Sequence, residues 1–221
     1  MKLRLLLHIC LIFISVTVFG QSLAPFVPTG IMDNDAYGFS VSIDEQGELA
    51  VVGSPMDSEI SASAGAAYVL VKQGNNWSEQ IKLTAPDAAA NDWFGHGVTM
   101  SSSGNFIAVS ALLDDDNGSE SGSVYIFVKD GGTWTFQAKI TPTDGSTMDW
   151  FGQSLSLNQQ GDVLAVSSHL DDDNGNDSGS AYIFERIGDT WSERDKITPT
   201  DGDAEDYFAY ALSLDASGNR L

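Results

Sequence analysis

Two stretches of this chain concentrate oxygen ligands: Asp114-Asp115-Asp116-Asn117-Gly118-Ser119-Glu120 and Asp171-Asp172-Asp173-Asn174-Gly175-Asn176-Asp177. A hard divalent cation takes about six to eight oxygens. Asp114, Asp116, Asn117 and Glu120 in the first stretch, and Asp171, Asp173, Asn174 and Asp177 in the second, are the candidate ligands, with calcium as the cofactor they would hold. Crowded carboxylates repel one another unless neutralised, which favours a cation. The spacing is not that of an EF-hand, whose glycine is sixth, because Gly118 is fifth counted from Asp114. The competing reading is a solvated acidic turn in which Asp and Asn accept bonds from nearby backbone amides.

Other chemistries find fewer residues. His96 and His169 stand at positions that do not recur as histidine, which suits surface or structural placement. There is no Gly-x-Ser-x-Gly elbow, and nothing singles out two carboxylates as a hydrolytic acid pair. The charge balance is strongly acidic, with 31 Asp plus Glu against 10 Lys plus Arg. Such a chain repels phosphate backbones and anionic lipid surfaces, so nucleic acid is excluded as a partner and basic partners or cations are favoured.

The elements that position these loops repeat. Asp35-Ala36-Tyr37-Gly38, Asp92-Trp93-Phe94-Gly95, Asp149-Trp150-Phe151-Gly152 and Asp206-Tyr207-Phe208-Ala209 recur at an interval of 57 residues. Each repeat offers four short runs. The first alternates, as in Val98-Thr99-Met100 and Leu155-Ser156-Leu157, and ends at a turn glycine, Gly47, Gly104, Gly161 or Gly218. The second, such as Phe106 to Val109, is apolar on both faces, as in a strand covered on both sides. The third carries Tyr68, Tyr125 and Tyr182. The fourth opens on Trp77, Trp134 and Trp191 and carries Lys82, Lys139 and Lys196, a pattern that suits an outermost strand whose edge lysines discourage pairing with another chain. The Tyr and Trp columns are expected in the core between repeats.

Four antiparallel strands per repeat predict an all-β fold of β-propeller blades: three complete blades plus a partial one, an incomplete propeller fragment. The expected divisions are 1–20 signal peptide, 21–34 linker or leftover outer strand, 35–91, 92–148 and 149–205 as three repeats, and 206–221 as a partial fourth. The signal peptide is expected from Lys2 and Arg4, the apolar run Leu5 to Phe19 and the small Gly20. About 15 apolar residues fall short of a spanning helix, so no membrane insertion is expected after cleavage. Cys10 would leave with this segment.

The chain resembles FG-GAP repeat proteins, the family that includes the integrin α-subunit propeller. The resemblance rests on Phe94-Gly95, Phe151-Gly152, Tyr37-Gly38, Val52-Gly53-Ser54-Pro55, Gly122-Ser123-Val124-Tyr125-Ile126-Phe127 and Gly179-Ser180-Ala181-Tyr182-Ile183-Phe184. It implies a seven-bladed extracellular propeller used for adhesion or ligand binding, often with calcium in the blades. The chain departs from the family where Gly-Ala-Pro becomes Ser110-Ala111-Leu112 and Ser167-Ser168-His169. The turns where the family places calcium read Asp44-Glu45-Gln46-Gly47, Ser101-Ser102-Ser103-Gly104, Asn158-Gln159-Gln160-Gly161 and Asp215-Ala216-Ser217-Gly218, too few carboxylates for that site.

The expected role is a secreted or cell-surface binding or adhesion module that uses its acidic loop face on an extracellular protein or glycan ligand, without catalysis. Further blades are expected from a longer chain or another copy. The alternatives are a structural spacer in a larger surface protein and a propeller-based hydrolase or lyase.

Overall fold

The computed structural model describes residues 26–221; the expected signal peptide lies outside the described residues. Strands β1 (Val41–Ile43), β2 (Leu49–Ser54), β3 (Ala66–Gln73) and β4 (Asn76–Leu83) form one antiparallel sheet in chain order. A second sheet holds β5 (Phe94–Met100), β6 (Phe106–Ala111), β7 (Ser123–Asp130) and β8 (Thr133–Ile140). The third holds β9 (Phe151–Leu157), β10 (Val163–Ser168), β11 (Ser180–Ile187) and β12 (Thr190–Ile197). These are the three blades, and among the described residues the sheets do not close into a ring. Every residue of β2, β6 and β10 is buried, as an apolar run without alternation requires.

The blades stack face to face. Val51 and Val69 of the first meet Val109 and Phe127 of the second, and Ala108 and Ile126 of the second meet Val166 and Phe184 of the third. The polar residue between the two apolar residues of each first run has a use: its hydroxyl reaches the next blade. Met100 N donates to Ser42 Oγ at 3.0 Å, Leu157 N to Thr99 Oγ1 at 3.3 Å and Leu214 N to Ser156 Oγ at 2.9 Å. At the outer end, bulges between Val69 and Leu70 and between Ile126 and Phe127 leave Gln80 and Gln137 without a strand partner. Trp134 Nε1 donates to Gln80 Oε1 at 3.3 Å and Trp191 Nε1 to Gln137 Oε1 at 3.1 Å, so the Trp column ties neighbouring blades together.

The Phe-Gly pair is the joint between blades. Phe94 N donates to Ala64 O, Phe151 N to Ser121 O and Phe208 N to Ser178 O, each at 2.9 Å. The same contact explains the glycine that precedes each third strand. Gly122 has φ of 84°, and a Cβ there would sit 2.2 Å from Phe151 O, so no side chain fits where one blade hands over to the next.

Neither end carries a strand among the described residues. Residues 26–40 form turns and no outer strand, with Phe26 and Ile31 packed on the first blade beside Tyr68. Residues 206–221 carry no strand either: Leu212 and Leu214 pack on Val163, Ala165 and Ile183, but no backbone ladder forms beside them among the described residues. Apolar alternation seats this segment against the third blade. It becomes a strand only when a second backbone satisfies its amides.

Candidate functional site

The acidic loops join the second and third strands of each blade, and they pack against the segments linking one blade to the next. Asn117 Nδ2 donates to Pro142 O at 3.3 Å and Asn174 Nδ2 to Pro199 O at 3.0 Å, so both loop sets emerge on one face. The first acid of each loop is its root. Asp57, Asp114 and Asp171 are buried, whereas Asp115, Asp116, Asp172 and Asp173 are exposed.

Around Asp114 the bonds are fully accounted for. Its Oδ1 accepts Asp116 N at 3.1 Å and Ser123 Oγ at 3.0 Å, and its Oδ2 accepts from Tyr125 and from Lys139 Nζ at 2.9 Å. The Tyr125 hydroxyl lies 2.8 Å from both Asp114 Oδ2 and Asp87 Oδ1, and its single proton serves one at a time. Lys139 Nζ also binds Asp87 Oδ2 at 2.9 Å and Asp116 Oδ2. The third blade repeats the cluster, with Lys196 held by Asp144 at 2.7 Å, Asp171 at 2.9 Å and Asp173 at 2.7 Å. In the first blade Lys82 meets Asp57 and Glu59, and Gly30 stands at the place of Asp87 and Asp144.

These lysines are not edge guards, which corrects the sequence expectation. The fourth strands do lie at the sheet edges, but the side chains of Lys82, Lys139 and Lys196 are only 20, 18 and 16% exposed. Each stands directly opposite the tyrosine of its blade, on the third strand, and bends into the loop. Burial pushes the Lys139 ammonium down, but Asp116, Asp87 and Asp114 together hold it well above the ordinary lysine value. Burial pushes Asp87 up, and the bonds from Lys139 and Tyr125 outweigh it, leaving the carboxyl below its usual range.

The proposed calcium ligands therefore divide. Asp114 with Asp116, and Asp171 with Asp173, converge, but on an ammonium. Glu120 Oε2 instead accepts Trp150 Nε1 at 3.2 Å, and Asp177 Oδ2 accepts Asn176 Nδ2 at 2.8 Å. Among the described residues no group of three or more His, Cys, Asp or Glu side chains is arranged to hold a metal ion. The donor set does not fit calcium, because the lysine already neutralises the point where the carboxylates meet. Read column by column, the sequence does not join the lysine and tyrosine to the loop; the signal that joins them is their constant spacing from the root acid: Asp57, Tyr68 and Lys82 recur as Asp114, Tyr125 and Lys139, then as Asp171, Tyr182 and Lys196.

The acid that opens each repeat has a different task. Asp149 Oδ2 accepts Ser146 N at 2.6 Å, and Asp35, Asp92 and Asp206 make the matching bond to Met32, Ala89 and Asp203. Burial, with the charges of Asp171 and Asp172, pushes Asp149 up from 3.8 to about 6. Between those values the folded protein binds more protons than the unfolded chain, so stability falls as pH rises through this window. Asp149→Asn keeps an oxygen for Ser146 and removes the buried charge. The variant is expected to be more stable than the parent by about 1 to 2 kcal/mol near pH 8, with the difference vanishing near pH 4. Thermal melts across that range check it, and a variant less stable than the parent at alkaline pH would refute it.

His169 is buried beside Trp150 and Tyr210, and burial pushes its pKa down. His96 holds the register position of Phe39 one repeat later, and its ring packs against Phe39 and Trp93 with centroids 4.8 and 6.4 Å apart. Neither histidine touches the acidic clusters described above.

The FG-GAP repeat model matches residues 18–70, 77–127 and 134–184, most of the chain and in step with the repeat. The chain belongs to the FG-GAP repeat family. Each FG-GAP match after the first begins on a fourth strand and ends on the third strand of the next blade, so the sequence unit straddles two blades. No curated protein matches. Among solved structures, a protein provisionally described as a 6-phosphogluconolactonase from Bacteroides uniformis is 17% identical with a TM-score of 0.50, the match covering 81% of this chain and 44% of that one. A similarly described protein from Bacteroides fragilis is 16% identical with a TM-score of 0.51, covering 72% and 38%. At this identity the likeness concerns fold alone. The chain spans less than half the length of these structures.

The departures from the FG-GAP pattern have structural counterparts. A Cβ at Gly53 would lie 2.0 Å from Gly95 O, so the first repeat keeps its glycine. In the later repeats Ser110 and Ser167 take that place, and their Oγ atoms accept Gly97 N and Ser154 N at 2.8 Å. The turns where FG-GAP proteins place calcium are closed by their own backbone: Asp44 Oδ1 accepts Glu48 N and Leu49 N, and Asn158 Oδ1 accepts Gly161 N, Asp162 N and Val163 N.

Proposed function

We propose that this FG-GAP chain is a secreted or cell-surface binding module that engages a basic protein partner through its acidic loop face, without catalysis. In this reading lysine, not calcium, neutralises the roots of the loops, and further blades from a longer chain or another copy complete the ring. The observation that carries it is the division of labour inside each loop. The buried acid is locked by lysine, tyrosine and backbone, Asp116 and Asp173 share that lysine while remaining exposed, and Asp115 and Asp172 stand exposed beside them, each accepting one backbone amide of its own loop. A rigid loop presenting fixed charge loses little entropy on binding and steers an oppositely charged partner. The family, typical of extracellular proteins, and the signal-like start of the sequence support the location. The two carboxyls pushed upward by burial, Asp92 and Asp149, each cap their own loop, which speaks against a hydrolytic pair.

Immobilised matrix proteins with basic surfaces are the test. At least one is expected to capture the protein, with affinity that falls as salt rises. The double variant Asp115→Asn with Asp172→Asn keeps the loop hydrogen bonds and is expected to slow association about tenfold. Capture indifferent to both salt and the substitutions would contradict the proposal, and no capture at all would favour the spacer role.

A further inference from the structure

The first strands of the blades, β1, β5 and β9, and the turns that lead into them line a cleft of about 510 Å3 bounded by Phe39, His96, Trp150, Gln153, Ser154 and Tyr210. Its chemistry is opposite to that of the loop face. In a chain of formal net charge -21, no Asp, Glu, Lys or Arg lines it. Phe39, His96, Gln153 and Tyr210 follow the Phe-Gly pair or its equivalent in successive repeats, so one position per blade faces this space.

The rings are presented, not buried away. Phe39 is 56% exposed and Tyr210 62%, while Phe39 packs against His96 with centroids 4.8 Å apart. Trp150 is fixed by the bond from its Nε1 to Glu120; its φ of 53° belongs to the blade joint and is shared by Ala36, Trp93 and Tyr207. His96 Nδ1 is buried with no hydrogen-bond partner among the described residues. Burial and the charge of His169 push the His96 ring down to about 4, so it is neutral at physiological pH and offers one donor and one acceptor.

We infer that this cleft binds a neutral saccharide. The apolar C–H faces of a pyranose ring stack on Phe39, Trp150 and Tyr210, and its hydroxyls meet the Gln153 amide, the His96 ring and the Ser154 hydroxyl. A pocket of this volume with apolar walls and a few convergent polar groups suits a small ligand. Sulfated or phosphorylated sugars are disfavoured, because the cleft holds no cation and the chain repels anions. The inference rests on the reading of the protein as a binding module, but it places a second ligand on the inner strands, away from the acidic loops.

The test titrates the full secreted chain with neutral oligosaccharides derived from cellulose, mannan and xylan, following heat and tryptophan emission. At least one is expected to bind with a change in emission. Gln153→Ala and Trp150→Ala should each weaken it roughly tenfold or more, and Trp150→Phe, which keeps a stacking face, should weaken it less. The Asp115→Asn and Asp172→Asn variant should bind the sugar unchanged. No binding by any of the three oligosaccharides overturns the inference, as does binding undiminished in Gln153→Ala and Trp150→Phe alike. Sugar binding lost only in the acidic-loop variant also overturns it, while leaving the binding-module reading intact.

Discussion

Phe151→Ala is expected to destabilise the protein by about 3 to 5 kcal/mol. Phe151 is fully buried at the meeting of two blades. Its ring stands edge-on to Tyr182 at 5.5 Å and Phe184 at 5.9 Å, and its amide donates to Ser121 of the preceding blade. Truncation removes the transfer energy of the ring and leaves a cavity that neither blade can collapse into, because β10 and β11 are fixed by their ladders. For a chain of this size the melting temperature should fall by roughly 10 °C. Calorimetry checks it; a loss below about 1 kcal/mol would mean that the blades are not joined through this residue.

Lys139→Met carries the second large effect. Methionine keeps much of the aliphatic stem but leaves Asp87, Asp114 and Asp116 facing one another without a cation. Removing one partner of a buried ion pair costs about 3 to 5 kcal/mol, and the partial exposure of this cluster reduces the expectation to about 2 to 4 kcal/mol. The effect is pH-dependent. Asp87 is held below its ordinary value in the parent, so the stability it contributes is present above that value and is lost as pH falls through the depressed one. The deficit of the variant should therefore be full at neutral pH and shrink below about pH 4, where the carboxyls protonate in both states.

Much of the fold is legible in the sequence for a physical reason. A period of 57 residues leaves one way to stack identical units, and β2, β6 and β10 announce burial on both faces by their lack of alternation. What the pattern could not convey is direction. Lys139 sits on an outermost strand, where charge ordinarily faces water, yet in the fold its stem lies across the blade to reach Asp114. The acidic loops were legible as a cluster needing a counter-charge. Its source was not, because the lysine lies 25 residues further along the chain. At the C-terminal end Leu212 and Leu214 alternate like a strand, but alternation specifies which face is buried and not whether a partner backbone is present.

In the proposed reading internal lysines, and not calcium, organise the loop face. The most direct measurement is the melting temperature of the parent protein and of Lys139→Met, each with a chelator and with calcium. The parent should melt at one temperature in both conditions, while Lys139→Met should melt lower with chelator and recover part of the loss when calcium replaces the missing ammonium. A parent protein that melts markedly lower after chelation would contradict the claim and place the metal where the structure puts the lysine.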